Sequence, residues 1–191
     1  MPCPAPDLTA ATVVVCDVES DGLHPGSQAV EIAWLNRLTG ERGCFVPPHK
    51  LDDASDPYAL DLNGYWARLA DQPHDDGTQA ARLHVQFAGQ ATLAGSNPRV
   101  DAGWIGRVFQ AAGLTPDPWK HRLYEIGNVA YGTLGLWPHG RIPGLKDVCE
   151  ALGIETSNHE AAADVEATDR CITALETILD GRRAAVESRS R

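Results

Sequence analysis

The hydrophobic pattern begins with a short β-branched run, Thr12-Val-Val-Val-Cys-Asp-Val-Glu19, that ends in Ser-Asp-Gly turn chemistry. This predicts a buried strand over 12–19. Residues 29–35 and 43–46 predict two more strands, with a hairpin turn at Thr39-Gly40, and Pro47-Pro48 stops the run. Residues 49–76 read as an acidic loop with one short helix near 58–62. A helix follows over 78–88, and the pattern then alternates. It predicts a strand at 91–94, a helix at 100–112, a strand at 122–126, a helix at 129–136, a loop at 138–143, a short helix at 145–152 and a long one at 160–179. Three successive strands followed by strand–helix alternation predict an α/β domain with a mixed sheet. No repeat or linker divides it. We expect a flexible leader at 1–11, one domain at 12–180 and a disordered basic tail at 181–191.

The composition is that of an ordinary globular chain, with 191 residues, 43% of them hydrophobic and 22% charged. No stretch approaches the roughly 18 apolar residues of a membrane span, and the start lacks the basic and apolar regions of a signal peptide. The five cysteines include no C-x-x-C pair, which argues against a disulfide framework or zinc site and fits a reducing cytoplasm. A net charge of −10 argues against electrostatic coating of nucleic acid. Residues 51–76 carry seven Asp and one base, Arg68, while the last eleven residues are net +3; both runs read as solvated surface.

Carboxylates stand where core residues belong. Side chains alternate along a strand, so Asp17 and Glu19 continue the line of Val13 and Val15. On the helix at 100–112, Asp101 heads the stripe formed by Trp104, Ile105, Val108 and Phe109. On the last helix, Asp164 lines up with Ala167, Thr168, Cys171 and Leu175. Ser157-Asn-His-Glu160 fits a capping box, which would put His159 in the first turn. Like charges 4 Å apart cost about 4 kcal/mol at an effective dielectric near 20, so four converging carboxylates must bind protons or cations. All-oxygen ligation suits Mg²⁺ or Mn²⁺. Two such ions serve displacement at phosphorus, and a histidine titrating near neutrality can take a proton from the attacking water.

These residues resemble a known family. Val15-Cys-Asp17-Val-Glu19-Ser-Asp-Gly-Leu23 resembles the first motif of the DnaQ-like DEDDh 3′–5′ exonucleases, the ribonuclease H-like group that includes polymerase proofreading subunits. Leu93-Ala-Gly-Ser-Asn97-Pro-Arg-Val-Asp101 is similar to the second motif. Leu145 to Gly153, followed by His159-Glu-Ala-Ala-Ala-Asp164, is similar to the third. Histidine stands five residues before the final aspartate; the sister group carries tyrosine four before, where this chain has Glu160.

The resemblance implies a ribonuclease H-like mixed five-stranded sheet flanked by helices. It implies release of nucleoside 5′-monophosphates from single-stranded 3′ ends, with DNA ahead of RNA. Asp17, Glu19, Asp101 and Asp164 would hold two divalent cations, and His159 would be the general base. Backbone around Ser20, Gly22 and Leu23 would meet the terminal nucleotide, with Leu23 against its base, and Asn97 would support the pocket. An exoribonuclease of the same chemistry and a proofreading subunit working with a DNA polymerase remain open alternatives. Asp21 stands where the family usually has threonine and adds an acid near the substrate. Glu31 and Asp169 read as structural or surface acids, Trp34 and Trp104 as core, and Trp66 and Trp137 as open.

Overall fold

The computed structural model describes residues 12–156 and 159–189. Its strands are β1 (Val13–Ser20), β2 (Ala29–Asn36), β3 (Arg42–Phe45), β4 (Thr92–Gly95) and β5 (Tyr124–Glu125). They form one sheet in the order β3-β2-β1-β4-β5. The short connections make β1–β2 and β2–β3 antiparallel, whereas β1–β4 and β4–β5 are parallel and need crossovers. This is the mixed five-stranded ribonuclease H-like sheet that the sequence led us to expect.

The helices are α1 (Pro57–Leu62), α2 (Tyr65–Arg68), α3 (Thr78–Gln86), α4 (Pro98–Ala111), α5 (Ile126–Leu134), α6 (Leu145–Leu152) and α7 (Ala161–Arg189). Alternation along β1 feeds two cores. Val14, Cys16 and Val18 join Ile32, Trp34, Leu83, Phe87, Ile105 and Phe109 under α3 and α4. Val15 joins Ala33, Leu35, Ile126, Val148, Val165, Ile172 and Leu175 under α5, α6 and α7. A smaller cluster of Val30, Val46, Leu60, Tyr65 and Leu69 packs the segment carrying α1 and α2 against the sheet.

Four details depart from the sequence reading. α2 is an unforeseen helix inside the acidic segment, too short to show a periodicity. β5 is only two residues long, and α5 begins directly after it. α7 runs to Arg189, ten residues beyond the expected end at 179, through most of the stretch read as a disordered tail. The apolar periodicity stops at Leu179, but Ala184, Ala185 and the arginines are strong helix formers and contain no proline to end the helix. Finally, α7 starts at Ala161, so His159 lies before the helix and not in its first turn. Ser157 and Asn158 of the expected capping box lie outside the described residues, as does the leader at 1–11. Among the described residues, no helix is long and apolar enough to cross a membrane.

Candidate active site

The site exists because β4 is short. β1 pairs with β4 only through Val13, Val14 and Val15, so Asp17 and Glu19 extend past the end of their parallel neighbour. The carboxyl ends of parallel strands open a crevice for ligands at such a place. Two helices start around this opening. α4 follows β4 directly, with Asp101 in its first turn, and Ser96 Oγ accepts a 3.1 Å bond from the Leu145 amide at the start of α6. A Cβ on Gly95 would lie 3.0 Å from the Cys16 carbonyl oxygen and 3.5 Å from Asp101 Oδ2. Glycine there lets the α4 turn close on β1.

Carboxylate oxygens of Asp17, Glu19 and Asp164 all lie within 4.8 Å of one another. Asp17 and Glu19 project from the sheet face covered by α7, whose first turn carries Asp164. Asp101 reaches the group from the opposite layer, through α4, and is 7% exposed. It stands outside the tight trio, yet its charge raises the pKa of Asp17. The structure therefore brings three of the four expected carboxylates together, with Asp101 approaching from the other layer.

Crowding shows in the acidities. Burial first, then repulsion from Asp101 and Glu19, holds the Asp17 carboxyl well above the usual range. Burial and the charges of Asp164 and Glu31 push Glu19 up to about 7, with Arg68 pulling the other way. Burial likewise lifts Asp101 to about 7, although backbone amides of Asp101 and Val18 favour its ionised form. Asp164 is raised by burial and held down by bonds from Thr156 Oγ1 at 3.2 Å and the His159 amide at 3.3 Å. Among the described residues, no donor bonds to Asp17 or Glu19. Asp17 and Glu19 without donors, beside an Asp164 whose two oxygens each accept one bond, are a fitting donor set for a hard divalent cation.

Glu31 is the acid directly opposite Glu19 across β1 and β2. It is 4% exposed and fully engaged: Arg68 Nη1 and Nη2 donate to its two oxygens at 3.0 and 3.1 Å. Its Oε2 also accepts the Ala161 amide at the start of α7, at 3.1 Å. The structural reading of Glu31 holds. Arg68 was missed as a site residue; its one signal was being the single base among seven aspartates. Asp169 is a surface acid paired with Arg37 at 2.6 Å.

His159 is partly buried, with a backbone φ of 63°, the left-handed region that non-glycine residues rarely occupy. Its charge stands close enough to Asp164 to hold that carboxyl down. The expected substrate residues lie at or just after the ends of β1 and β4 in the chain. Leu23 is 88% exposed, and Asn97 is exposed at the start of α4, where its side chain makes no capping bond. Gly22 has φ 154°, and a Cβ there would lie 3.2 Å from Ser27 Oγ. The Ser20 hydroxyl donates to the Gly22 carbonyl at 2.7 Å, and the Asp21 carbonyl accepts the Asp56 amide at 2.7 Å, so the turn is held by bonds within the protein.

Asp21 departs from expectation. It is 2% exposed, and its carboxylate accepts from the Gln28 amide at 2.7 Å and Ser55 Oγ at 3.0 Å. It ties the first turn to the acidic segment and adds no charge to the substrate side, because these donors turn it inward. Trp34 and Trp104 are core residues, whereas Trp66 and Trp137 are open.

No protein-family model and no curated protein sequence matches the chain. Solved structures do. The chain aligns with a zinc-bound E. coli exonuclease I–single-stranded DNA complex at 25% identity and a TM-score of 0.69, over 87% of this chain and 41% of that one. A complex of the E. coli enzyme with a dT13 oligonucleotide matches at 24% identity and 0.68, over 93% and 43%. Exonuclease I from Methylocaldum szegediense matches at 20% and 0.67, over 86% and 40%. The chain spans about two fifths of the length of these proteins, and across that part it has their ribonuclease H-like fold.

Proposed function

We propose that this chain is a metal-dependent 3′–5′ exonuclease that shortens single-stranded 3′ ends, DNA ahead of RNA, and releases nucleoside 5′-monophosphates. The observation that carries this reading is the convergence of Asp17, Glu19 and Asp164, oxygens within 4.8 Å, at the open end of β1. The likeness to exonuclease I structures crystallised with single-stranded DNA supports the same substrate class.

Asp17, Glu19 and Asp164 would hold one divalent cation, and Asp101, from the α4 layer, would help hold a second. Bound there, the cations supply Lewis acidity and positive charge against the scissile phosphate. His159 would accept a proton at a ring nitrogen as water attacks phosphorus, with its backbone fixed by Asp164. Leu23 would lie against the terminal base, the Ser20–Gly22 backbone against its sugar and phosphate, and Asn97 would flank them from α4. Burial and repulsion leave the carboxyls of the unloaded cluster weakly acidic, with Glu19 and Asp101 pushed up to about 7, so cation binding displaces protons and affinity rises from pH 6 to 8.

The test uses 5′-labelled DNA and RNA oligonucleotides of one sequence, with Mg²⁺, Mn²⁺ or Zn²⁺ or with chelator, and Asp164→Ala as control. We expect a ladder shortening from the 3′ end, absent with chelator and in the variant. His159→Ala should retain cation binding and slow hydrolysis roughly 10²–10⁴-fold. Cleavage that survives chelation, or an unimpaired His159→Ala, overturns the assignment.

A further inference from the structure

Arg68 and Glu31 join the segments that carry the site. We propose that the Arg68–Glu31 pair is a positioning device: it holds the His159 backbone and the first turn of α7 in register with Glu19. The inference rests on the exonuclease reading above and extends it to residues outside the three motifs.

One guanidinium meets four residues from three parts of the chain. Its two terminal nitrogens grip both oxygens of Glu31 on β2 at 3.0 and 3.1 Å. Nη2 also donates to the Asn63 carbonyl at 2.7 Å and to the His159 carbonyl at 3.5 Å, and Nε stands 3.9 Å from Glu160 Oε1. Asn63 in turn donates to the Ser20 carbonyl at 3.1 Å, within the expected substrate turn. Glu31 completes the tie by accepting the Ala161 amide, otherwise an unpaired donor at a helix start.

His159 is thus bonded on both sides, its amide to Asp164 and its carbonyl to Arg68. A left-handed conformation at a residue with a Cβ persists only where surrounding contacts over-determine it. The planar fork is essential, because a lysine supplies the charge at one point and cannot hold two oxygens and two carbonyls together.

The test compares wild type with Arg68→Lys, which keeps the charge, and Arg68→Ala, each alone and combined with His159→Ala. In the metal-free protein, amide hydrogen exchange at Ala161, followed by NMR, should quicken at least about tenfold in Arg68→Lys. On the DNA oligonucleotide, Arg68→Lys should lower kcat about 10–100-fold, the usual cost of losing a supporting contact, with KM within about threefold. In the His159→Ala background the same change should cost less than about threefold, since the positioned base is already gone. A kcat unchanged in Arg68→Lys, a loss fully additive with His159→Ala, or unaltered Ala161 exchange overturns the proposal. Wild-type protein without chelator-sensitive activity would instead overturn the exonuclease reading, and Ala161 exchange would still report whether the pair holds α7. Should Arg68→Ala fail to fold, the lysine variant carries the test.

Discussion

Glu19 and Glu31 face each other across β1 and β2, on the same side of the sheet, and meet opposite fates. Glu31 is surrounded by protein donors: both oxygens are gripped by Arg68, and the Ala161 amide adds a third bond. Glu19 has Asp17 and Asp164 as neighbours and no hydrogen-bond donor among the described residues. Its carboxyl is pushed up to about 7, chiefly by burial and then by the charges around it. The protein neutralises Glu31 with its own arginine and leaves the group around Glu19 short of positive charge. A structural acid and a ligand-binding acid are told apart by who supplies that charge.

The sharpest way to break the comparison is Asp17→Ala. Chelator-sensitive activity should fall to background, and thermal unfolding of the metal-free protein should shift upward as repulsion with Glu19 and Asp101 is relieved. Lower metal-free stability would mean that the cluster is held together by contacts other than those described.

The partnered side should respond in the opposite sense. Glu31→Ala strands Arg68, whose side chain is only 28% exposed, and should cost about 3 kcal/mol, the lower end for breaking a buried pair. Glu19→Gln should leave metal-free stability unchanged or improved. Denaturant titration of both variants with chelator decides, and equal losses would erase the distinction.

Acidity gives a smaller effect. Glu19 titrates near 4.5 when unfolded and about 7 when folded, so the native state binds more protons between these values. Stability of the metal-free protein therefore falls as pH rises from 5 to 7.5, by on the order of 2 kcal/mol, the reverse of an ordinary salt-bridged acid. A saturating divalent cation should abolish or invert this slope, and calorimetric melting at several pH values would show it. The smallest change is expected at Arg37, whose network with Asp169 and Glu176 joins β2 to the outer side of α7. Arg37→Ala should cost about 1 kcal/mol and leave nucleotide release untouched, because its partners Asp169 and Glu176 stay open to water once unpaired, with side chains 31% and 47% exposed.

Much of this was legible in the chain. β1 announced itself through a β-branched run bounded by turn residues, and Asp17, Glu19, Asp101 and Asp164 stood out because each interrupted an apolar line. Periodicity reports which face a side chain occupies, and a carboxylate on an inward face is visible without coordinates. It failed where no period could form. α2 is four residues long, and the outer part of α7 has no buried face, so helix propensity alone continues it. Asp21 looked like an added charge beside the substrate, because nothing local indicates that Gln28 and Ser55 would turn it inward.

The sequence by itself therefore determined the order of the strands and of the helices other than α2, and the apolar lines that Asp17, Glu19, Asp101 and Asp164 interrupt. Those follow from short-range periodicity and backbone chemistry. Tertiary structure alone decided that Asp101 arrives from the opposite layer, that Arg68 leaves an acidic segment to pair with Glu31, and that His159 sits outside α7 in a left-handed turn. Such partnerships join residues between 37 and 91 positions apart, and only packing of the sheet between its helical layers brings them within hydrogen-bonding range.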